Sequence, residues 1–153
     1  MLARLADFWY DTHSFDVQIQ EAARKFGLDS RLVKAVVFQE SHFNPMVVGN
    51  AGEIGLMQIL PRGAVRDWAF AHRTEVPSNS SLYSPELNLE IGCWYLARAL
   101  NRWRNYEHAT ELALCQYNAG PSRAEEWKPA TPDGEVIPRI NIASTRRYVE
   151  NIM

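Results

Sequence analysis

The residue best placed for proton-transfer chemistry is Glu40, which ends an apolar stretch of helical periodicity. Val36 lies four residues before it and Val37 three, so the three side chains share one face of a helix. A carboxyl group on that face is partly removed from water, which disfavours its charged form and raises its pKa. Such a carboxyl can hold a proton near neutral pH and donate it as a general acid.

The segment after Glu40 predicts a loop that faces this acid. Asn44-Pro45 directs the backbone away from the helical region, so the helix is expected to end before it. Close approach to a ligand is then permitted by three glycines: Gly49, Gly52 and Gly55. The same residues could also form a helix end with an ordinary surface loop, in which the glutamate has no catalytic role. This stretch alone does not decide between a general acid and such a structural glutamate.

Apolar positions spaced three and four apart predict the helices that position the acid. We expect helices over residues 14–26, 29–40, 61–72, 88–103, 109–118 and 142–153. Ser14 and Asp29 are expected to cap the first two, and residues 84–86 to form a turn before the fourth. The second helix is expected to bury an apolar face, and the fourth a stripe with close packing at Gly92. The two sets are Leu32, Val33, Val36 and Val37, and Leu89, Cys93, Leu96, Leu100 and Trp103.

Residues 1–14 predict a further helix that docks on a core of residues 15–153, and residues 128–140 predict a small hairpin or a wrapping loop. In the first core helix, four residues are expected to face inward: Val17, Ala22, Ala23 and Phe26. The fold class is all-α, an orthogonal helical bundle with at most a small hairpin.

Composition and charge exclude several classes of protein. The 153 residues, 46% of them apolar, predict a single globular domain over residues 1–153. A net charge of −2 lacks the basic excess of a nucleic-acid-binding protein. No apolar run approaches the roughly 20 residues of a membrane span, and the N-terminus lacks the apolar stretch of a signal peptide. Cys93 and Cys115 are interpreted as core thiols, with a disulfide as the alternative.

Four short blocks occur along the chain: Glu40-Ser41-x-Phe43-Asn44-Pro45, Gly52-x-x-Gly55-Leu56-Met57-Gln58-Ile59-x-Pro61, Gln116-Tyr117-Asn118-Ala119-Gly120-Pro121 and Thr145-Arg146-x-Tyr148-Val149. In this order they resemble the catalytic domain of soluble lytic transglycosylases, relatives of goose-type lysozyme. The resemblance covers the chain from about Val17 to Met153. It implies a lysozyme-like bundle with a substrate cleft between lobes.

The resemblance also implies a reaction on peptidoglycan, at the β-1,4 bond between N-acetylmuramic acid and N-acetylglucosamine. Glu40 would protonate the glycosidic oxygen, and the acetamido group of the substrate would stabilise the cationic centre. The Glu40 carboxylate would then deprotonate the C6 hydroxyl, which closes a 1,6-anhydro ring. For this, the carboxyl pKa must rise from about 4.3 to about 6, a change of roughly 2 kcal/mol that a desolvated site can supply.

Six further residues are placed at the substrate by the resemblance: Ser41, Met57, Gln58, Tyr117, Asn118 and Tyr148. Ser41 would bond the glycan or Glu40, Met57 would form an apolar wall, and Gln58 would act as hydrogen-bond donor and acceptor. Tyr117 would bring its hydroxyl near Glu40, Asn118 would hold the substrate or the loop, and Tyr148 would close the cleft. From the pattern alone, both tyrosines are typical of core aromatics, and only the family blocks favour the site.

Most glycosidases use a second carboxylate, and the candidate here is Glu53. The family usually has a small residue at this position, most often alanine. We interpret Glu53 as a solvated loop charge rather than a catalytic partner, so Glu53→Ala is expected to alter activity little. This chain also departs from the usual family residues at two other places. Cys115-Gln116 replaces two alanines, and Ser144 replaces a glutamate. We expect these changes to affect subsite preference and not activity.

The expected partners are peptidoglycan glycan strands, with no nucleic acid, and the chain is expected to act as a monomer. No cysteine or histidine spacing is typical of a metal site, so no metal and no cofactor are expected. The substrate places the protein in the periplasm or cell envelope. Three alternatives remain: a muramidase that admits water, an inactive glycan-binding module of an envelope or phage-tail assembly, and an enzyme acting on chitin.

Overall fold

A computed structural model describes residues 11–153, and helices dominate this part of the chain. The α-helices in chain order are α1 Asp16–Lys25, α2 Ser30–Ser41, α3 Arg66–Ala71, α4 Pro85–Arg102, α5 Ala109–Ala119, α6 Pro121–Trp127 and α7 Ala143–Ile152. Shorter helical turns cover Pro61–Val65, Asn79–Tyr83 and Ile137–Arg139. The all-α prediction is confirmed. The docking helix expected over residues 1–14 lies largely outside the described residues.

The contacts divide the chain into two compact units, one ending at Trp94 and the other running from Tyr95 to Met153. In the first unit α1 packs on α2. The Asp29 side chain caps α2 by accepting from the Arg31 amide at 2.8 Å, as its position before the helix predicts. The interior face of α2 carries the expected valines: Val33, Val36 and Val37.

The inward face of α1 differs from the prediction. Val17 is 64% exposed, whereas Ile19 and Ala23, one turn apart, are buried. Two residues along a helix correspond to roughly 200° of rotation, so Val17 must point away once Ile19 points inward. The helix also begins at Asp16, after Phe15, and Ser14 does not cap it.

The predicted helix over residues 61–72 is interrupted. Residues Pro61–Val65 form a π-type turn in which Gly63 has non-helical angles (φ −120°, ψ −105°), and α3 follows from Arg66. By contrast, α4 is longer than predicted, because the expected turn at residues 84–86 joins it with Pro85 in its first turn. Four residues of the predicted stripe of α4 are buried, Leu89, Cys93, Leu96 and Trp103, whereas the fifth, Leu100, is half-buried.

In the second unit, α5 packs against α6 and α7. Residues 128–140 form turns and the short helix Ile137–Arg139 rather than the hairpin that the sequence left open. The β-type pairing in the described residues consists of two isolated bridges in the first unit, Val48 with Ile54 and Ile54 with Ile59.

Both cysteines are buried free thiols, as the favoured interpretation held. Burial raises the pKa of Cys93 to about 12 and that of Cys115 to about 12, so neither forms a reactive thiolate near neutral pH. Over residues 11–153, no helix combines the length and the apolar character needed to cross a membrane.

Candidate functional site

Glu40 lies one residue before the end of α2 and is half-buried. Val36 and Val37, which share its helical face, are fully buried, so the carboxyl sits at the edge of an apolar core. The chain turns sharply just after it, because His42 and Phe43 both adopt left-handed angles (φ 51° and 62°). Two consecutive non-glycine residues in this region are uncommon and are held only where the surroundings compensate.

The compensation comes from burial of Phe43, which is 4% exposed. Its ring lies against Phe38 of α2, with 5.9 Å between ring centroids. The turn continues at Asn44, whose side-chain oxygen accepts from the Met46 amide at 2.9 Å. The acid is therefore followed by a turn that packing and a local hydrogen bond hold in place.

Ser41 is buried at 3% exposure, and its Oγ donates to the Val37 carbonyl of the same helix at 3.0 Å. The hydroxyl hydrogen is thus used on the α2 backbone. The predicted contact between Ser41 and the glycan stays a prediction.

The loop over residues 42–60, which we call the glycine loop, is built on backbone hydrogen bonds. Ile54 and Ile59 exchange two of them, at 3.0 and 3.1 Å. The Gly49 amide donates to the Glu53 carbonyl at 2.8 Å, which closes the turn between them. Gly55 has a φ of 78°, and a Cβ there would collide with the Asn88 amide nitrogen, so only glycine fits.

Asn88 of α4 anchors the glycine loop, a role that the sequence did not reveal. It is 1% exposed. Its Nδ2 donates to the Ile54 carbonyl at 2.8 Å and the Leu82 carbonyl at 2.9 Å, while its Oδ1 accepts from the Met57 amide at 2.8 Å. The signal that could have found it is an asparagine directly before a buried leucine in a helix, because a buried amide requires partners.

The side chain of Met57 lies in the core of the first unit. It is 0% exposed, its Sδ is 3.9 Å from Cys93 Sγ, and a Cβ at Gly92 would lie 2.7 Å from its Cβ. The close packing that Gly92 predicts in α4 is therefore with Met57. The expected role of Met57 as an apolar wall for the substrate stays a prediction.

Gln58 is half-buried with a left-handed φ of 50°. Its Nε2 donates to two carbonyls of the glycine loop, Val47 and Gly55, each at 3.0 Å. Both amide hydrogens are therefore used within the loop, and Oε1 remains as the acceptor. Of the donor and acceptor roles that the sequence predicted, the geometry leaves the acceptor role available to a ligand.

Glu53 corrects a prediction in part, because one oxygen of its carboxyl is not solvated. The residue is half-buried, and its Oε1 is shielded from solvent with no hydrogen-bond partner among residues 11–153. The carboxyl packs against Gly49, where a Cβ would collide with Glu53 Oε2. The sequence did not predict the position of the Glu53 carboxyl, because local patterns do not show which atoms the turn brings together.

The second unit holds the other three candidates. Asn118 Oδ1, at the end of α5, accepts from Thr145 Oγ1 of α7 at 2.8 Å. Tyr117 is half-buried and meets Tyr95 edge to face, with 5.7 Å between ring centroids. Tyr148 of α7 is 8% exposed. The hydrogen bond between Asn118 and Thr145 thus joins the third and fourth sequence blocks.

Within the first unit, this arrangement offers a half-buried carboxyl for proton transfer and an amide oxygen for accepting hydrogen bonds. Among residues 11–153, no group of three His, Cys, Asp or Glu side chains is placed to hold a metal ion.

Comparison with known proteins gives a consistent match. The family model of the transglycosylase SLT domain matches residues 18–138. Membrane-bound lytic murein transglycosylase C from Klebsiella pneumoniae is 37% identical over 90 residues, 58% of this chain and 25% of the relative. The Salmonella arizonae protein of the same name is 34% identical over 113 residues, 71% of this chain and 31% of the relative. The chain thus spans about a quarter to a third of these relatives.

A solved structure is also similar. It is an inactive mutant of the lytic transglycosylase Slt from Pseudomonas aeruginosa, with a TM-score of 0.79 and 26% identity, covering 97% of this chain and 25% of that one. The likeness identifies the fold as the lysozyme-like helical fold of these enzymes. With the model match over most of its length, the chain belongs to the transglycosylase SLT domain family.

Proposed function

We propose that this chain is a peptidoglycan lytic transglycosylase domain. It cleaves the β-1,4 bond between N-acetylmuramic acid and N-acetylglucosamine without water and leaves 1,6-anhydro-N-acetylmuramic ends. The observation that carries the proposal is the half-buried Glu40 at the end of an apolar helix face, in a chain of the SLT family. The names of the relatives, lytic murein transglycosylases, support the same activity.

Glu40 acts first as acid and then as base. Partial burial beside Val36 and Val37 favours the protonated form, which donates to the glycosidic oxygen as the bond breaks. The carboxylate left behind accepts the proton of the C6 hydroxyl. Because that hydroxyl belongs to the same sugar, its attack on C1 is intramolecular and has a high effective molarity.

The reaction as proposed needs no second catalytic carboxylate. A two-carboxylate mechanism requires a partner across the sugar, about 5 to 9.5 Å from the acid. The candidate for that partner is Glu53, whose carboxyl packs against Gly49 within its own loop. In the proposed reaction Glu53 transfers no proton.

The proposed domain comprises residues 1–153, and one family match extends over residues of both units. Its partner is the peptidoglycan glycan strand, and its location is the periplasm or cell envelope, where that polymer lies. It acts as a monomer, with Tyr117, Asn118 and Tyr148 contributing to substrate binding.

The test is digestion of purified peptidoglycan, with the released muropeptides identified by mass. We expect anhydro ends, lighter by one water than hydrolysed ends. Glu40→Gln should keep the fold and remove nearly all cleavage, because the amide is isosteric but has no transferable proton at neutral pH. Reducing, borohydride-sensitive muramic ends would instead indicate a muramidase, and a folded, active Glu40→Gln variant would remove Glu40 from its role.

A further inference from the structure

The glycine loop gathers hydrogen-bond acceptors at one point, beside Gly49. A Cβ built on Gly49 would collide with Glu53 Oε2 and would lie 2.7 Å from Gln58 Oε1 and 2.9 Å from Glu53 Cδ. The carboxyl of Glu53 and the amide oxygen of Gln58 therefore lie on the same side of Gly49. The glycine at 49 and the glutamate at 53 complement each other, because any side chain at 49 would displace the carboxyl.

The orientation of the Gln58 amide is fixed. Its Nε2 donates to the Val47 and Gly55 carbonyls at 3.0 Å each, so rotation of the amide would place Oε1 against two other oxygens. Gln58 therefore presents its oxygen, and not its nitrogen, toward Gly49. Glu53 Oε2 and Gln58 Oε1, both hydrogen-bond acceptors, therefore lie close together beside Gly49.

The two oxygens of the Glu53 carboxyl differ. Oε1 is shielded from solvent and has no hydrogen-bond partner in the described chain, so a ligand donor does not reach it. Oε2 is the oxygen that lies beside Gly49 with Gln58 Oε1. Because Oε1 makes no bond, the carboxyl accepts hydrogen bonds through Oε2, and a ligand N–H or O–H placed there gains a strong acceptor.

We propose that Glu53 and Gln58 form an acceptor pair that binds donor groups of an N-acetylated sugar, its acetamido N–H or its hydroxyls. Glu53 is then a substrate-binding residue that contributes to glycan specificity and takes no part in proton transfer. The identity of the sugar rests on the proposed function.

The competing explanation is that the two acceptors bond only water. Glu53→Gln separates the two explanations, because the new amide has the same shape but carries no charge and replaces one acceptor oxygen by an N–H donor. If the pair binds the glycan, this change weakens binding; if it bonds only water, the affinity stays the same.

Binding is measured in the Glu40→Gln background, so that the glycan is not cleaved. The probe is a peptide-free tetrasaccharide of alternating N-acetylglucosamine and N-acetylmuramic acid, titrated by calorimetry. Adding Glu53→Gln should weaken binding by about tenfold or more, the loss of one hydrogen bond to a charged group, while the melting temperature stays the same or rises. Adding Glu53→Ala should also weaken binding, but less, because Gln58 Oε1 remains open. Glu75→Gln, at an exposed glutamate of the same unit, is the matched control and should change nothing.

Equal affinity with and without Glu53→Gln would overturn the inference and leave water as the only partner of the pair. Glu53-dependent binding by a protein whose wild type releases no muropeptides would uphold it and overturn the proposed function alone. Failure of the Glu40→Gln protein to bind the tetrasaccharide would overturn both.

Discussion

The two irregular segments of the molecule, the glycine loop and residues 128–142, are held by different kinds of hydrogen bond. The glycine loop depends on neutral amides: the fully buried Asn88 and the half-buried Gln58 bond its backbone directly. The second segment depends on guanidinium groups at the surface. Arg139 Nε donates to the Trp127 carbonyl at 3.1 Å, and Arg146 donates to the carbonyls of Ile140 and Pro138.

The difference bears on how each segment responds to change. A buried amide has no water to replace a lost partner, so its loss is felt in full and does not depend on salt or pH. An exposed guanidinium competes with water, and its bonds contribute less. The segment that follows the proposed acid is thus the one whose geometry tolerates least variation.

The largest effect is expected for Asn88→Ala. It leaves the Met57 amide and the Leu82 carbonyl without their partners in a buried site, while the Ile54 carbonyl keeps only the Ile59 amide. At about 1 to 3 kcal/mol for each buried unsatisfied group, unfolding should become easier by about 4 kcal/mol, and muropeptide release should fall steeply. Urea denaturation and digestion of peptidoglycan measure the two.

Asn101→Ala is the matched control, because Asn101 is an exposed asparagine of the same helix. It should cost less than about 0.5 kcal/mol. If Asn88→Ala cost no more than this control, the buried amide would not be the anchor of the glycine loop.

Asn88 also shows the limit of prediction from local sequence spacing. Spacing alone predicted α2, its Asp29 cap and its buried valines, because these depend on residues within one or two turns. It did not predict that Asn88 bonds a loop more than thirty positions earlier, nor that Glu53 turns inward against Gly49. Contacts of this kind arise when separate elements pack, and no periodicity in the chain encodes them.

The family blocks named Gln58 and Asn118 as candidates without any knowledge of contacts, and their roles at the substrate stay predictions. They named positions but not the bonds made there. The structure supplies those bonds: Nε2 of Gln58 to two carbonyls, and Thr145 to Asn118. Arg146, also in a block, had no predicted role and is seen to fasten residues 138–140.

A smaller effect is expected for Arg146→Lys. The lysine keeps the charge but lacks the planar fork that reaches Ile140 O at 2.8 and 3.1 Å and Pro138 O at 3.2 Å. We expect a loss of about 1 kcal/mol in the free energy of unfolding, with faster amide exchange in residues 137–142 and unchanged exchange in the glycine loop. Hydrogen exchange followed by mass spectrometry resolves the two segments. If Arg146→Lys lowered the free energy of unfolding as much as Asn88→Ala, the proposed difference between the two segments would be wrong.

The smallest effect is electrostatic and belongs to the second segment. His108 precedes α5, with Nδ1 at 3.1 Å from Glu111 Oε1 and Nε2 at 3.7 Å from Glu135 Oε1. The hydrogen bond to Glu111 raises the pKa of His108 above its usual value, and the charges of Glu111, Glu135 and Glu107 act in the same direction. Nearby, the Glu107 amide donates to the Pro132 carbonyl at 2.8 Å, so the histidine stands where α5 meets residues 128–142.

Because the folded-state pKa of His108 is raised, its contribution to stability is fully present below its unfolded pKa of about 6.5 and is lost as the pH rises through the folded value. His108→Gln should therefore lower the melting temperature at about pH 6 and have less effect at about pH 9. Glu111→Gln removes the main cause of the shift, so in that background the effect of His108→Gln should lose most of its dependence on pH. Melting curves of the four proteins across this range measure the difference. A pH-independent effect of His108→Gln would mean that packing, and not charge, stabilises this end of residues 128–142. The two irregular segments would then be stabilised in a similar way.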